Sequence, residues 1–363
     1  MRIALMGFAG INNEGSLPRL TLLTYKGLTE LNNNVYIVSK TDLGSEFKYI
    51  KVRKMLTPFK KDVFTDIFSH YVELLKLSPQ IYHMLYPHVS STISFLFPSK
   101  FVKIVTIHDL KPIIMREFMN KKEKINISVI NLTLKRVDRI IAVSKSTKEQ
   151  ILTYLNVKED KVDVVYNPVD PIFKPLDKEV VAKTREKTGK FILNVSRFDK
   201  LKNPKNLIEA FKIIRKTRDV KLIVVGSYWN YAKKMISEVL GEYSKDVIIY
   251  EHVKDDELVK LYNASELLLF PSLYEGFDLP LVEAMSCGTP VVTSNRWSMK
   301  EIAEGIGLLV DPENPSDIAE KSLSILDNER LRYSMIEKGF EKSKQYDYLN
   351  ISRRLIDIYS STL

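Results

Sequence analysis

Short runs of Val, Ile and Leu alternate with longer amphipathic stretches along almost the whole chain, on both sides of one proline-rich segment. The runs in the first half are Arg2–Met6, Val35–Val38, Ile81–Leu85, Val102–Ile107, Ile140–Val143 and Val162–Tyr166. In the second half they are Phe191–Ser196, Lys221–Gly226, Val247–Glu251, Leu267–Pro271, Pro290–Thr293 and Leu308–Val310. Runs rich in Val, Ile and Leu on both faces, rather than on one, mark strands covered on both sides, as in a parallel sheet. Between them, Asn206–Arg215, Asp256–Asn263 and Pro315–Leu326 have helical periodicity. Strand–helix alternation at this spacing predicts doubly wound α/β domains.

The segment Tyr166-Asn-Pro-Val-Asp-Pro-Ile-Phe-Lys-Pro175 holds three prolines. Proline removes a backbone donor and biases its predecessor away from helix, so a linker is expected here. At 363 residues the chain exceeds what one core comfortably supports, and the linker cuts it into near-equal halves. The single cysteine, Cys287, excludes an internal disulfide, and the five histidines show no ligand spacing with it, so no metal site is expected. No apolar run reaches the ~20 residues of a bilayer span, and the first residues are too short for a signal peptide. A soluble, cytoplasmic protein is expected, able to touch a membrane peripherally.

The net charge of +10 is unevenly placed. Residues 1–170 hold 25 Lys+Arg against 16 Asp+Glu, and residues 171–363 hold 30 against 29. Nucleic acid, anionic membrane and phosphorylated ligands are the partners that such an excess brings to mind.

Four segments can carry chemistry. Phe270–Pro290 reads as strand, glycine-containing loop and helix, with Pro280 placed as the helix's first residue. Such a junction aims backbone N–H groups and the positive end of the helix dipole at one spot, which suits an anion. Glu275 lies in the loop and Glu283 on the helix; a carboxylate there can accept ribose hydroxyls, or both can simply be solvated beside a capped helix. Arg197 and Lys202 follow the Phe191–Ser196 strand, where open α/β sheets bind ligands, and could neutralise a diphosphate without a metal; a solvated basic turn is the alternative. His108 and Asp109 follow the Val102–Ile107 strand, as catalyst or as structural residues. The loop after the first strand contains Gly7, Gly10 and Gly15 but neither G-x-G-x-x-G nor the Walker pattern, which weakens a dehydrogenase or a P-loop NTPase.

Taken together and in order, these segments resemble the retaining glycosyltransferases of the GT-B fold, family 4, over almost the whole chain. Glu275-Gly-Phe-Asp-Leu-Pro-Leu-Val-Glu283 is similar to that family's E-x7-E motif, and Ser196-Arg-Phe-Asp-Lys-Leu-Lys-Asn203 to its G-R-x4-K-N stretch. Thr106-Ile-His-Asp-Leu110, Ile140-Ile-Ala-Val-Ser144 and Tyr166-Asn-Pro-Val-Asp170 resemble its H-D strand end, A-V-S strand and N-G-V-D linker. The resemblance implies two Rossmann-like domains facing a cleft: 1–168, joined by a final helix 346–363, on the acceptor side, and 169–345 on the nucleotide-sugar side. It implies that Arg197 and Lys202 hold the donor diphosphate, and that Glu283 binds the ribose. Glu275 and the backbone of Phe277, Asp278 and Leu279 would meet the donor sugar, Val253 the base, Gly15 the phosphates and His108 the reacting face.

No metal or other cofactor is implied. The partners would be a nucleotide-sugar donor and a glycan, lipid-linked or small-molecule acceptor, with peripheral contact to anionic membrane through the basic half and no nucleic acid. Three residues depart from the pattern. Asp278 and Ser196 stand where glycine is usual, and Pro168 replaces the linker glycine; Asp278 could cap the helix or alter sugar selectivity. A sugar-nucleotide epimerase or a phosphorylase on the same fold is a rival. The ordered E-x7-E and R-x4-K patterns speak against the first, and no pyridoxal-phosphate lysine is identifiable for the second. A basic nucleic-acid-binding protein is a further rival, supported by charge alone.

Overall fold

The computed structural model describes residues 1–7, 16–39, 41–51, 71–86, 95, 97–114 and 133–363. It divides into two compact units, Met1–Pro168 with Tyr348–Leu363, and Val169–Asp347.

The first unit is built on a seven-stranded parallel sheet. Its strands are β1 (Arg2–Met6), β2 (Asn34–Ser39), β3 (Tyr49–Lys51), β4 (Ile81–Met84), β5 (Val102–Ile107), β6 (Arg139–Ala142) and β7 (Val162–Val164), in the order β3-β2-β1-β4-β5-β6-β7. Five of the six residues of β5 are buried, as a strand covered on both faces requires. One face packs Tyr82, Val105 and Ile140 against Leu74, Leu110 and Ile151. The other packs Ile3, Leu5 and Ile104 against Leu28 and the terminal helix Tyr348–Thr362.

That helix presents Ile351, Leu355, Ile358 and Tyr359, a spacing that lines one face at 3.6 residues per turn. Fully burying one such side chain is worth about 1.5–3 kcal/mol, which fastens the chain's last residues to its first domain. Close approach of the Ser16–Glu30 helix needs Gly27, because a Cβ there would run into the Ser352 side chain.

The second unit carries a six-stranded parallel sheet, ordered β10-β9-β8-β11-β12-β13. The strands are β8 (Phe191–Val195), β9 (Lys221–Val225), β10 (Val247–Tyr250), β11 (Leu267–Phe270), β12 (Val291–Ser294) and β13 (Leu308–Val310). Leu207, Phe211 and Ile214 of the Pro204–Thr217 helix pack on Ile192, Leu222 and Val224 of this sheet. From β8 the chain steps to β9 on one side and later returns to β11 on the other. The gap between β8 and β11 is therefore a topological switch point, where open parallel sheets leave a crevice at the strands' carboxyl ends.

Candidate active site

Two loops leave that switch point side by side. The one after β8 is Ser196–Asn203; the one after β11 runs from Pro271 to Asp278. They are joined by backbone, since Leu273 N–H donates to the Leu201 carbonyl at 2.8 Å. Asn203, in the left-handed conformation at φ 57°, donates its side-chain amide to the Pro271 carbonyl at 3.0 Å. The short turn Lys200–Lys202 is closed by Asp199, whose carboxylate accepts from Leu201 N–H at 2.9 Å.

The result brings Lys202 and Glu275, 73 residues apart, into a hydrogen-bonded ion pair. Both are mostly buried, with side chains 22% and 14% exposed. The Lys202 ammonium also lies 5.3 Å from the Phe270 ring centroid, a cation–π distance. A loop glutamate and a turn lysine held in this way are more than solvated surface charges.

Arg197 is placed differently. Its side chain is 57% exposed, and its nearest acidic partner is Asp199 at 3.5 Å. Gly226 at the end of β9 explains how its loop is held. At φ 150°, Gly226 lies so close to the Ser196 carbonyl and the Arg197 backbone that any Cβ would overlap them. Ser196, which stands where glycine was expected, receives the indole N–H of Trp229 on its carbonyl at 2.5 Å.

Glu283 lies on the Leu279–Ser286 helix, 6% exposed, and its Oε2 accepts from the Tyr262 hydroxyl at 2.9 Å. Asp278 stands at the N-cap position of this helix, and Pro280 is its second residue rather than its first. The Asp278 side chain makes no capping bond. It is 1% exposed, and its Oδ2 lies 3.1 Å from Ser298 Oγ, on the Trp297–Ala303 helix. Burial, reinforced by the Glu275 charge, holds its carboxyl well above the usual carboxylate range, against the opposing pull of Lys202 and the Ser298 hydroxyl. Phe277 is half-buried with its ring 5.7 Å from Tyr346, and Leu279 is half-buried. Val253 is half-buried in the turn after β10, at the same carboxyl edge of the sheet.

His108 belongs to the first unit, at the carboxyl end of β5. Its Nε2 lies 2.9 Å from the Leu85 carbonyl, which accepts the proton and fixes the tautomer, leaving Nδ1 with the lone pair. Its ring stacks on Tyr86 with centroids 4.2 Å apart. Burial lowers its pKa to about 4, so the ring is neutral at pH 7. Two residues back on β5, Thr106 bonds His83 of β4 at 2.8 Å, and the other His83 nitrogen lies 2.6 Å from the Tyr359 hydroxyl. His83, Thr106, Tyr86 and His108 line a small cavity together with Asn167 and Thr24. Gly15 lies outside the described residues.

Sequence reasoning missed Ser298, Tyr262, Tyr86, His83 and Tyr359. None carries a local motif; each is recruited through strand order or helix packing. Among the described residues no group of three or more His, Cys, Asp or Glu side chains could hold a metal ion, and no helix is long and apolar enough to cross a membrane.

The Glycosyltransferase Family 4 profile matches residues 19–173 and the Glycosyl transferases group 1 profile residues 177–342. An uncharacterized glycosyltransferase of Methanocaldococcus jannaschii is 32% identical over 61% of this chain, and the match spans 59% of that protein's length. The O-antigen chain mannosyltransferase B of Escherichia coli is 25% identical over 73% of this chain and 72% of its own. The crystal structure of Anabaena HepE in complex with UDP-glucose has the same fold, with a TM-score of 0.77 at 17% identity over 99% of both chains. Two profiles in tandem, covering both Rossmann-like units of a GT-B fold, show that the chain belongs to the group 1 (family 4) glycosyltransferases.

Proposed function

We propose that the chain transfers a sugar from a nucleotide-sugar donor to an acceptor hydroxyl on a glycan or lipid-linked molecule, with retention at the anomeric carbon. The observation that carries this reading is the meeting of Lys202 and Glu275 across the β8/β11 switch point, beside the start of the Leu279–Ser286 helix. In the donor complex the Lys202 ammonium and Arg197 guanidinium neutralise the diphosphate. Lys202 exchanges its Glu275 partner for phosphate oxygen, and Glu275 is released to accept a hydroxyl of the sugar. Glu283, oriented by Tyr262, accepts the ribose hydroxyls. Phe277, Asp278 and Leu279 supply backbone amides, and the backbone at Val253 borders the base.

The bond from the anomeric carbon to the diphosphate oxygen breaks and the acceptor oxygen bonds to the same face. The acceptor's proton passes to the departing phosphate, whose growing charge Lys202 and Arg197 stabilise. The reading requires no metal, because two cations already face the leaving group. His108 contributes a neutral imidazole with a free lone pair at Nδ1. HepE, crystallised with UDP-glucose, and an O-antigen mannosyltransferase among the relatives support a nucleotide-sugar donor and a glycan-type acceptor. The excess positive charge of residues 1–170 supports peripheral contact with anionic lipid on the acceptor side.

A thermal-shift panel of UDP-, GDP- and ADP-sugars tests the reading. A ligand that binds only the folded state raises stability by about 2.7 kcal/mol at a hundred times its Kd. A shift with at least one donor supports the assignment; no shift with any of them overturns it.

A further inference from the structure

Asp278 is a buried carboxyl whose two oxygens are treated unequally. Oδ2 lies 3.1 Å from Ser298 Oγ, while Oδ1 is buried without a hydrogen-bond partner. The same Ser298 Oγ lies 3.0 Å from the Glu275 carbonyl oxygen. A serine hydroxyl owns one proton and cannot donate it to both. With Asp278 ionised, one of the two acceptors goes unserved, and a buried carboxylate is left with at most one donor for two charged oxygens. With Asp278 protonated every hydrogen has a place. Oδ2–H donates to Ser298 Oγ, Ser298 donates to the Glu275 carbonyl, and Oδ1 remains a neutral carbonyl oxygen. Leaving such an oxygen unpaired costs far less than leaving a charge unpaired.

The charged neighbours lead to the same state. Glu275 repels a second negative charge, and the Lys202 ammonium that could offset it is already paired with Glu275. The helix start at Leu279 favours an anion by about 0.3–1 kcal/mol, up to ~2. Burying an ion costs several kcal/mol, which outweighs it. Burial and Glu275 accordingly shift the Asp278 equilibrium toward the acid form.

We infer that Asp278 is a donor-site residue held as a neutral carboxylic acid, its proton completing the Asp278–Ser298–Glu275 chain and keeping the helix start free of negative charge where the donor diphosphate docks. This rests on the donor-site reading above. It makes a departure from glycine compatible with phosphate binding: the extra side chain braces the loop that carries Glu275 and adds no charge. Deprotonation would sever the chain and place a second anion against the diphosphate.

The test is a carbon-13 NMR titration of the Asp278 carboxyl in the full-length protein between pH 5 and 8, assigned by loss of the signal in Asp278→Asn or, should that variant misfold, by its perturbation in Ser298→Ala. The expected signal is that of a protonated acid through pH 7. A midpoint below pH 6 overturns the inference. Folding provides a second readout. A native carboxyl titrating above its unfolded value binds a proton that the unfolded chain releases, so stability falls as pH rises above about 4. Relative to Asp278→Asn, the wild-type unfolding constant should rise about tenfold per pH unit from 5 to 7; parallel pH profiles overturn the inference.

UDP-glucose, GDP-mannose and ADP-glucose serve as donor probes. One that binds must shift the Asp278 signal without ionising it, and a binder that leaves the signal unmoved removes Asp278 from the donor site. Should none bind, the donor-site reading fails and takes the docking role with it, whereas the protonation state is still decided by the titration.

Discussion

His108 lies flat against Tyr86, ring centroids 4.2 Å apart and planes 3° from parallel, while its Nε2–H is committed to the Leu85 carbonyl. The two contacts fix ring plane and tautomer together, so Nδ1 is presented as an acceptor in a set direction. With its pKa lowered to about 4 by burial, the ring stays neutral across the working range. His108→Ala should lower the transfer rate roughly tenfold to a hundredfold, the worth of about 1.5–3 kcal/mol. The wild-type rate profile should show no limb near pH 6.5 that disappears in this variant. A His108-dependent limb there would mean that the imidazole titrates freely and that the stacked, neutral geometry is not the active one.

His83 makes a prediction about acid stability. Burial lowers its pKa to about 3, below the 6.5 of the unfolded chain. Between those values the unfolded state binds a proton that the native state refuses, so stability is complete above about pH 6.5 and declines as pH falls toward 3. The slope for one such group is about 1.4 kcal/mol per pH unit. Chemical denaturation at pH 7 and pH 5 should therefore show a smaller loss in His83→Gln than in the wild type. Equal losses would place the proton elsewhere.

Lys202 and Glu283 should separate donor binding from folding. Lys202→Ala removes a charge-assisted bond to phosphate and leaves Glu275 without its partner; donor affinity should drop about tenfold to a hundredfold. Glu283→Gln keeps the Tyr262 hydrogen bond but weakens acceptance from ribose, and should cost about tenfold. Circular dichroism checks that both variants fold. Isothermal titration with the donor identified by the thermal-shift panel measures the losses, and wild-type affinity in both would remove these residues from the site.

Much of this architecture was legible beforehand, for physical reasons. Val102–Ile107 and Leu308–Val310 read end to end because both faces of each strand carry Val, Ile or Leu. Tyr49–Lys51 went unread. It is a three-residue edge strand, half-exposed, and has too few apolar residues to show a period. The loops bearing Lys202 and Glu275 were readable as strand ends, but their pairing was not, since it depends on β8 and β11 being neighbours. The same holds for Tyr359 and His83, 276 residues apart, and for Ser298 beneath Asp278. Partners chosen by topology leave no local pattern. Asp278 shows the limit most plainly: its identity raised the choice between cap and selectivity residue, and burial beside Ser298 shows that its side chain does not cap the helix.

The uneven charge gives a prediction about membranes. With 25 basic against 16 acidic residues in 1–170, sedimentation with anionic vesicles should exceed that with neutral vesicles at low salt. Raising the salt from 0.05 to 0.5 M should abolish the difference, because the screening length shortens to a few ångströms. Equal pelleting with both vesicle types would confine the charge to other duties.

Gly226 carries the most local prediction. Its φ of 150° is one that side-chain-bearing residues rarely adopt, and a Cβ would overlap the Ser196 carbonyl and the backbone nitrogen of Arg197. Both obstacles are main chain, and the Ser196 carbonyl is itself fixed by the Trp229 indole, which is fully buried. Nothing flexible is available to give way, so Gly226→Ala must displace the loop that carries Arg197. Strain at such a backbone position costs about 1–3 kcal/mol before any overlap is counted. The midpoint of denaturant unfolding should fall accordingly, and donor affinity should fall with it because Arg197 and Lys202 ride on the same loop. Gly305 is the control: at φ 76° it has open space where a Cβ would stand, so Gly305→Ala carries backbone strain without the overlap. A Gly226→Ala variant no less stable than Gly305→Ala, with wild-type donor affinity, would show that the approach of β9 to this loop is not what holds it in place.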